Sequence, residues 1–156
     1  MPTHKHLVRL ERIWVERPIF FVTTCTFRRH CALADDTLHA ICREVWQTAE
    51  HRYGWIVGRY VVMPDHAHFF CAPRRDERKL ETLVAKWKEW TAKYAHRRLG
   101  VLMPLWQEGF FDHVLRSSES YDEKWEYVRQ NPIRAKLVMR AEDWPYQGEI
   151  HDLRYD

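Results

Sequence analysis

Two histidines, His66 and His68, sit two residues apart in the apolar run HAHFFC at 66–71. In an extended strand the side chains at i and i+2 leave the same face, so both imidazoles can reach one divalent cation. Two neighbouring imidazoles are costly to bury in an apolar strand unless a metal or hydrogen-bonding groups engage them. Spacing alone is a weak signal, because 10 histidines make an H-x-H triplet common by chance and His4-Lys5-His6 is a second one. A hydrogen-bonded pair lining a cleft is the competing reading.

Tyr127 is the second group with chemical potential. Its segment has an apolar stripe of Tyr121, Trp125 and Val128, and Tyr127 falls off it, toward Glu123, Lys124, Gln130 and Asn131. A phenol can serve as a nucleophile, although a lone helical tyrosine more often belongs to surface or packing. Asn131 lies one helical turn further on, so its amide oxygen could join the same site as a metal ligand; Gln130, at i+3, competes for that role. His113, beside Asp112, reads equally well as a structural histidine and stays outside the catalytic set.

Periodicity predicts the elements that must position these groups. Residues 19–27, IFFVTTCTF, follow Pro18 and read as a central strand. From Asp36, the residues Leu38, Ile41, Cys42, Val45, Trp46 and Ala49 recur at helical spacing, and the helix should end near Gly54. Residues 55–63 and 66–71 are strand-like runs split by Pro64-Asp65, predicting an antiparallel hairpin whose turn adjoins the histidines. A second helix is expected over 77–99, with Leu80, Leu83, Val84, Trp87 and Tyr94 on one stripe. A strand over 105–115 follows, and the capping box Ser120-Tyr-Asp-Glu123 opens a third helix that Asn131-Pro132 closes. The order predicts an α+β protein: a ferredoxin-like βαββαβ antiparallel sheet, with helices on one face and an additional C-terminal helix carrying the tyrosine.

Composition narrows the class. A chain of 156 residues with 46% hydrophobic and 30% charged residues, 5 Gly and 7 Pro fits one packed domain over 1–156, with 1–14 and 149–156 expected to be mobile ends. There is no run of about 20 apolar residues and no apolar leader, so no membrane partner is expected and the protein should stay in the cytoplasm. Cys25, Cys31, Cys42 and Cys71 show no metal-binding spacing and read as reduced thiols. P-loop and nucleophile-elbow motifs are absent from the sequence.

The net charge of +3 does not by itself argue for nucleic acid. Basic residues at strand ends and on helices are better placed to do so: Arg28, Arg29, Arg74, Arg75, Lys86, Lys93 and Arg97, with Trp90 interleaved, could hold phosphates and stack unpaired bases. Arg78, Lys79, Lys88, Arg98, Arg129 and Arg134 belong to the same wider basic set. A solvated mixed-charge surface is the bland alternative.

Taken together, VVMPDHAHFF (61–70), WQEGFFDHVLR (106–116), YVRQNPIRAKLV (127–138) and DWPYQG (143–148) resemble the REP-associated tyrosine transposases, relatives of the IS200-type HUH transposases, over residues 13–148. The resemblance implies that His66 and His68 are the metal-binding histidines, Tyr127 the nucleophile and Asn131 the third, amide-bearing ligand. It implies a single-stranded or hairpin DNA substrate built from palindromic repeats, cut and rejoined through a 5′-phosphotyrosine with no nucleotide cofactor. A nitrogen and oxygen donor set without thiolate suits Mg or Mn, although two histidines would also accept zinc or nickel. Both monomer and homodimer are compatible with it. Asp65 stands where the family often has Asn, and Lys136 where it often has Gly. Two other functions remain in view: a non-catalytic ferredoxin-like nucleic-acid-binding protein with Phe69 or Phe70 stacking bases, and a zinc hydrolase in which Tyr127 is incidental.

Overall fold

The computed structural model describes residues 12–15, 18–74 and 78–155. Its elements run β1 (Arg12–Val15), β2 (Ile19–Cys25), α1 (Asp36–Gln47), α2 (Ala49–Tyr53), β3 (Trp55–Val62), β4 (His66–Pro73), α3 (Leu80–Leu99), β5 (Phe111–Leu115), α4 (Ser118–Val128), α5 (Asn131–Arg134), β6 (Gln147–Glu149) and β7 (Asp152–Tyr155). Five strands form one sheet in the order β5-β2-β4-β3-β6, with every neighbouring pair antiparallel. The fold is therefore α+β around an antiparallel sheet, and the hairpin of β3 and β4 forms as its turn residues predict.

Alternation along β4 sorts its side chains between two cores. Ala67, Phe69 and Cys71 face α1, α2 and α3, where Trp46 and Trp87 stack at 5.0 Å. His66, His68 and Phe70 lie on the other face, and there Phe70 packs with Phe21, Tyr121 and Trp125. Helix α4 thus lies across the sheet from the other long helices, on the histidine side.

What fixes α4 there is a notch at Gly58. A Cβ on that residue would stand 2.5 Å from Tyr121 Oη and 3.0 Å from Leu153 Cδ1, so only glycine lets the tyrosine approach the strand. The same hydroxyl accepts from Arg59 N at 3.0 Å. Arg59 lies over the rings of Tyr121 and Trp125 and pairs with Asp122 at 2.9 Å, tying three residues of α4 to β3. Gly58→Ala is expected to destabilise the protein by about 1–3 kcal/mol through overpacking. Hydrogen exchange should show the loss concentrated in 118–128, whereas uniform protection would overturn this account of how α4 docks.

Several expected boundaries shift. The strand expected over 105–115 is confined to β5, because Gly109 takes φ +80 and the preceding stretch turns to send Trp106 Nε1 to Thr91 Oγ1 at 2.9 Å. Helix α4 starts three residues earlier than the capping box implies, since Ser117 Oγ accepts from Ser120 N at 3.0 Å. It ends at Val128, and Asn131-Pro132 opens α5 instead of closing α4. Residues 12–15 and 152–155, which overlap the expected end segments 1–14 and 149–156, pair as the parallel ribbon of β1 and β7. Burial of Ile13, Val15 and Leu153 against the α4 core is the physical reason.

Candidate functional site

The turn between β3 and β4 is held from outside. Thr26 N donates to Asp65 O at 3.0 Å and Leu33 N to Pro64 O at 3.0 Å, so the segment after β2 grips the start of β4. The two histidines then emerge side by side, ring centroids 4.7 Å apart and planes at 79°. His66 Nδ1 is 2.8 Å from Asp65 Oδ1, and His68 Nδ1 is 2.8 Å from Thr23 Oγ1. A carboxylate only accepts, so His66 donates to Asp65 through Nδ1. The Thr23 hydroxyl can accept in the same way from His68. Burial, reinforced by the charges of His66, Lys124, Arg134 and Arg29, drives the His68 pKa down to about 3, which keeps this ring neutral near pH 7.

An imidazole held through Nδ1 can turn its Nε2 toward a metal. Among the described residues no group of three or more His, Cys, Asp or Glu could hold a metal ion, and the groups that could contribute donors to a cation here are the imidazole pair and neutral oxygens such as amides. That donor set fits a divalent ion and gives no support to a zinc site completed by a carboxylate or a third histidine. Thr23→Val removes the His68 partner at nearly constant volume. Its expected effect is a 10- to 100-fold loss of Mn2+ affinity, measured by titration calorimetry; unchanged affinity would show that Thr23 does not orient the ring.

Asp65 has two further ties. Its carboxylate receives Arg29 Nε at 2.9 Å. Burial raises its pKa, but the hydrogen bonds from His66 and Arg29 outweigh this and the net shift is downward. Arg28 and Arg29 adopt left-handed backbone conformations, φ +53 and +57, which are unfavourable for side chains with a Cβ. Thr26 Oγ1 donates across this turn to His30 O at 2.8 Å, and the Arg29–Asp65 pair adds a second restraint. Lys136 is also left-handed, φ +60, which accounts for glycine suiting that position.

Tyr127 stands in the last turn of α4 with 62% of its surface exposed. A chain of contacts links it to the histidines. The His68 ring stacks on Phe21 at 5.1 Å, Lys124 Nζ lies 4.8 Å above the Phe21 ring, and the same ammonium is 5.5 Å from the Tyr127 ring centre. Arg134 Cζ covers Tyr127 at 4.2 Å, and its Nη2 donates to Tyr127 O at 2.7 Å and to Asn131 Oδ1. Tyr127, Asn131, Lys124 and Arg134 therefore gather on the histidine face of the sheet. Gln130 occupies the backbone position just before α5.

Sequence reasoning did not single out Phe21, Thr23, Asp65 or Lys124 for the site, and placed Arg134 only in the wider basic set. Phe21 and Thr23 have a legible signal, since they alternate on a strand with i, i+2 spacing, but their register against His68 is a tertiary fact. The expected DNA contacts divide. Arg29 pairs with Asp65 beside the histidines and Arg28 lies over Phe27, whereas Lys86, Trp90, Lys93 and Arg97 belong to α3, on the opposite side of the sheet. There Lys86 and Lys93 both pair with Glu89, and Trp90 packs on Tyr94. Arg74 pairs with Glu50 at 3.1 Å, and Arg75 lies outside the described residues. The ion pairs of Lys86, Lys93 and Arg74 are exposed and individually weak.

An antiparallel sheet that presents an H-x-H pair beneath a tyrosine-bearing helix defines a recognisable class of α+β protein. Residues 18–131 match the family model described as transposase IS200 like, and the chain belongs to this IS200-like transposase family. The REP-associated tyrosine transposase of Escherichia coli K12 is 28% identical over 98 residues, a match taking in 62% of this chain and 56% of that protein. The chain thus matches little more than half the length of this relative. A Haemophilus influenzae Rd protein provisionally given the same name is 23% identical over 151 residues, covering 87% of this chain and 82% of its own. The solved structure of a REP-associated tyrosine transposase bound to a REP hairpin aligns with a TM-score of 0.71 at 20% identity, over 89% of this chain and 81% of that one. This likeness establishes the fold. Among the described residues no helix is long and apolar enough to cross a membrane.

Proposed function

We propose that this chain cleaves and rejoins single-stranded DNA beside palindromic-repeat hairpins, using Tyr127 as nucleophile and a divalent ion, Mg or Mn, at His66, His68 and the Asn131 amide. The observation that carries the reading is the placement of Tyr127 and the histidine pair on one sheet face, connected through Phe21 and Lys124. The strand order β5-β2-β4-β3 supports a ferredoxin-like description of the core beneath them.

Tyr127 Oη attacks the phosphorus, the P–O3′ bond breaks, and the products are a 5′-phosphotyrosine and a 3′-hydroxyl; the phenol proton leaves to solvent or a transient base. When bound, the metal offsets negative charge on the non-bridging oxygens. Asp65 and Thr23 hold the imidazoles in the orientation such a site needs. Lys124 and Arg134 surround the phenol with positive charge where a phosphodiester would arrive. Attack by the 3′-hydroxyl on the same phosphorus reverses the step, so the energy of the broken bond is conserved.

Labelled hairpin DNA with a single-stranded flank, drawn from repeats near the gene and incubated with Mn2+, Mg2+ or chelator, tests this on denaturing gels. A covalent protein–DNA band that requires metal supports the reading. DNA that is bound but never linked would favour a non-catalytic nucleic-acid-binding protein.

A further inference from the structure

Arg134 holds the proposed nucleophile and the proposed amide ligand at once. Its Nη2 donates to the Tyr127 carbonyl and to Asn131 Oδ1, while its guanidinium carbon stands 4.2 Å from the centre of the Tyr127 ring. An amide oxygen engaged by a guanidinium is a poor ligand for a divalent ion, because a lone pair is committed and two cations would crowd one oxygen. A phosphodiester is a better acceptor for that guanidinium than a neutral amide, since it offers two charged oxygens to the planar fork. Arg134 is exposed and sits at the end of the four-residue α5, where its side chain can swing without disturbing the core.

We infer that Arg134 latches the third metal ligand: it occupies Asn131 in the DNA-free protein and moves to the phosphodiester when substrate enters, releasing the amide for the metal. The inference rests on the metal and nucleophile reading given above. Its consequence is cooperative assembly, in which substrate tightens metal binding and metal tightens substrate binding by the same factor. Lys124 provides the internal contrast, since its charge also reaches His68 yet it lies on Phe21 and Tyr127 and makes no bond to Asn131.

The test needs no cleavage. Mn2+ affinity of the DNA-free protein is measured by titration calorimetry or electron paramagnetic resonance for wild type, Arg134→Met, Asn131→Ala and the double variant. Arg134→Met is expected to bind Mn2+ about fivefold or more tightly than wild type, with the gain abolished in the Asn131→Ala background. Lys124→Met should shift affinity by less than about twofold, and Arg134→Lys, with a charge that reaches one acceptor at a time, should fall between wild type and Arg134→Met. Unchanged or weaker binding in Arg134→Met, with its thermal melt intact, overturns the latch. So does a gain that persists without Asn131, which would mark a general charge effect. If His66→Ala leaves Mn2+ affinity untouched, the ion sits elsewhere and the reading of the site fails, taking the latch with it. If His66→Ala weakens binding and Arg134→Met changes nothing, only the latch fails.

Discussion

Tyr127→Phe is expected to abolish the covalent protein–DNA adduct and to lower strand cleavage by at least about 10^4-fold, the scale on which an enzyme loses its nucleophile. Fold and DNA affinity should hardly change. Among the described residues nothing hydrogen-bonds the Tyr127 hydroxyl, and the ring contacts to Lys124 and Arg134 survive in phenylalanine. Removing one exposed hydroxyl of this kind shifts stability by no more than about 0.5 kcal/mol. Thermal melting, hairpin binding and denaturing gels measured on the same preparation separate these effects. Full cleavage by the phenylalanine variant would remove Tyr127 from the chemistry and return it to helix surface.

The histidines should have the next largest effect, and the two should differ in kind. His66→Ala is expected to weaken Mn2+ binding more than about 100-fold, beyond the loss typical of an outer partner. Its Asp65 partner retains Arg29, so the melting temperature should stay within a few degrees of wild type. His68→Ala should weaken binding to the same extent and also lower the melting temperature, because it deletes a ring stacked on Phe21 and leaves Thr23 without its partner. A loss of about 2 kcal/mol would appear as a drop of roughly 4–8 °C in a chain of this length. Equal melts for both alanine variants would show that His68 contributes nothing to packing, and intact metal binding in both would dismiss the site.

The sequence by itself determined the parts that follow from local periodicity. Alternation along 66–70 placed His66, His68 and Phe70 on one face, the Pro64-Asp65 turn made the hairpin, and helical spacing separated Tyr127 from Tyr121, Trp125 and Val128. Those inferences rest on side-chain geometry within one element, which neighbours in sequence settle. Tertiary structure alone decided which face of the sheet received α4, because the deciding features, Gly58 opposite Tyr121 and Arg59 over Trp125, lie more than 60 residues apart in the chain. It also decided that Asp65 and Thr23 orient the histidines, through turn closure and cross-strand register. Charge is only partly legible in a linear list: the pairing of Lys86 and Lys93 with Glu89 follows from i+3 and i+4 spacing in one helix, whereas that of Arg74 with Glu50 is made by the fold. Arg134, one basic residue among many in the sequence, becomes distinctive only where the turn from α4 into α5 folds it back over Tyr127 and Asn131. Ion pairs depend on distances of a few ångströms between distant residues, and composition carries no information about those distances.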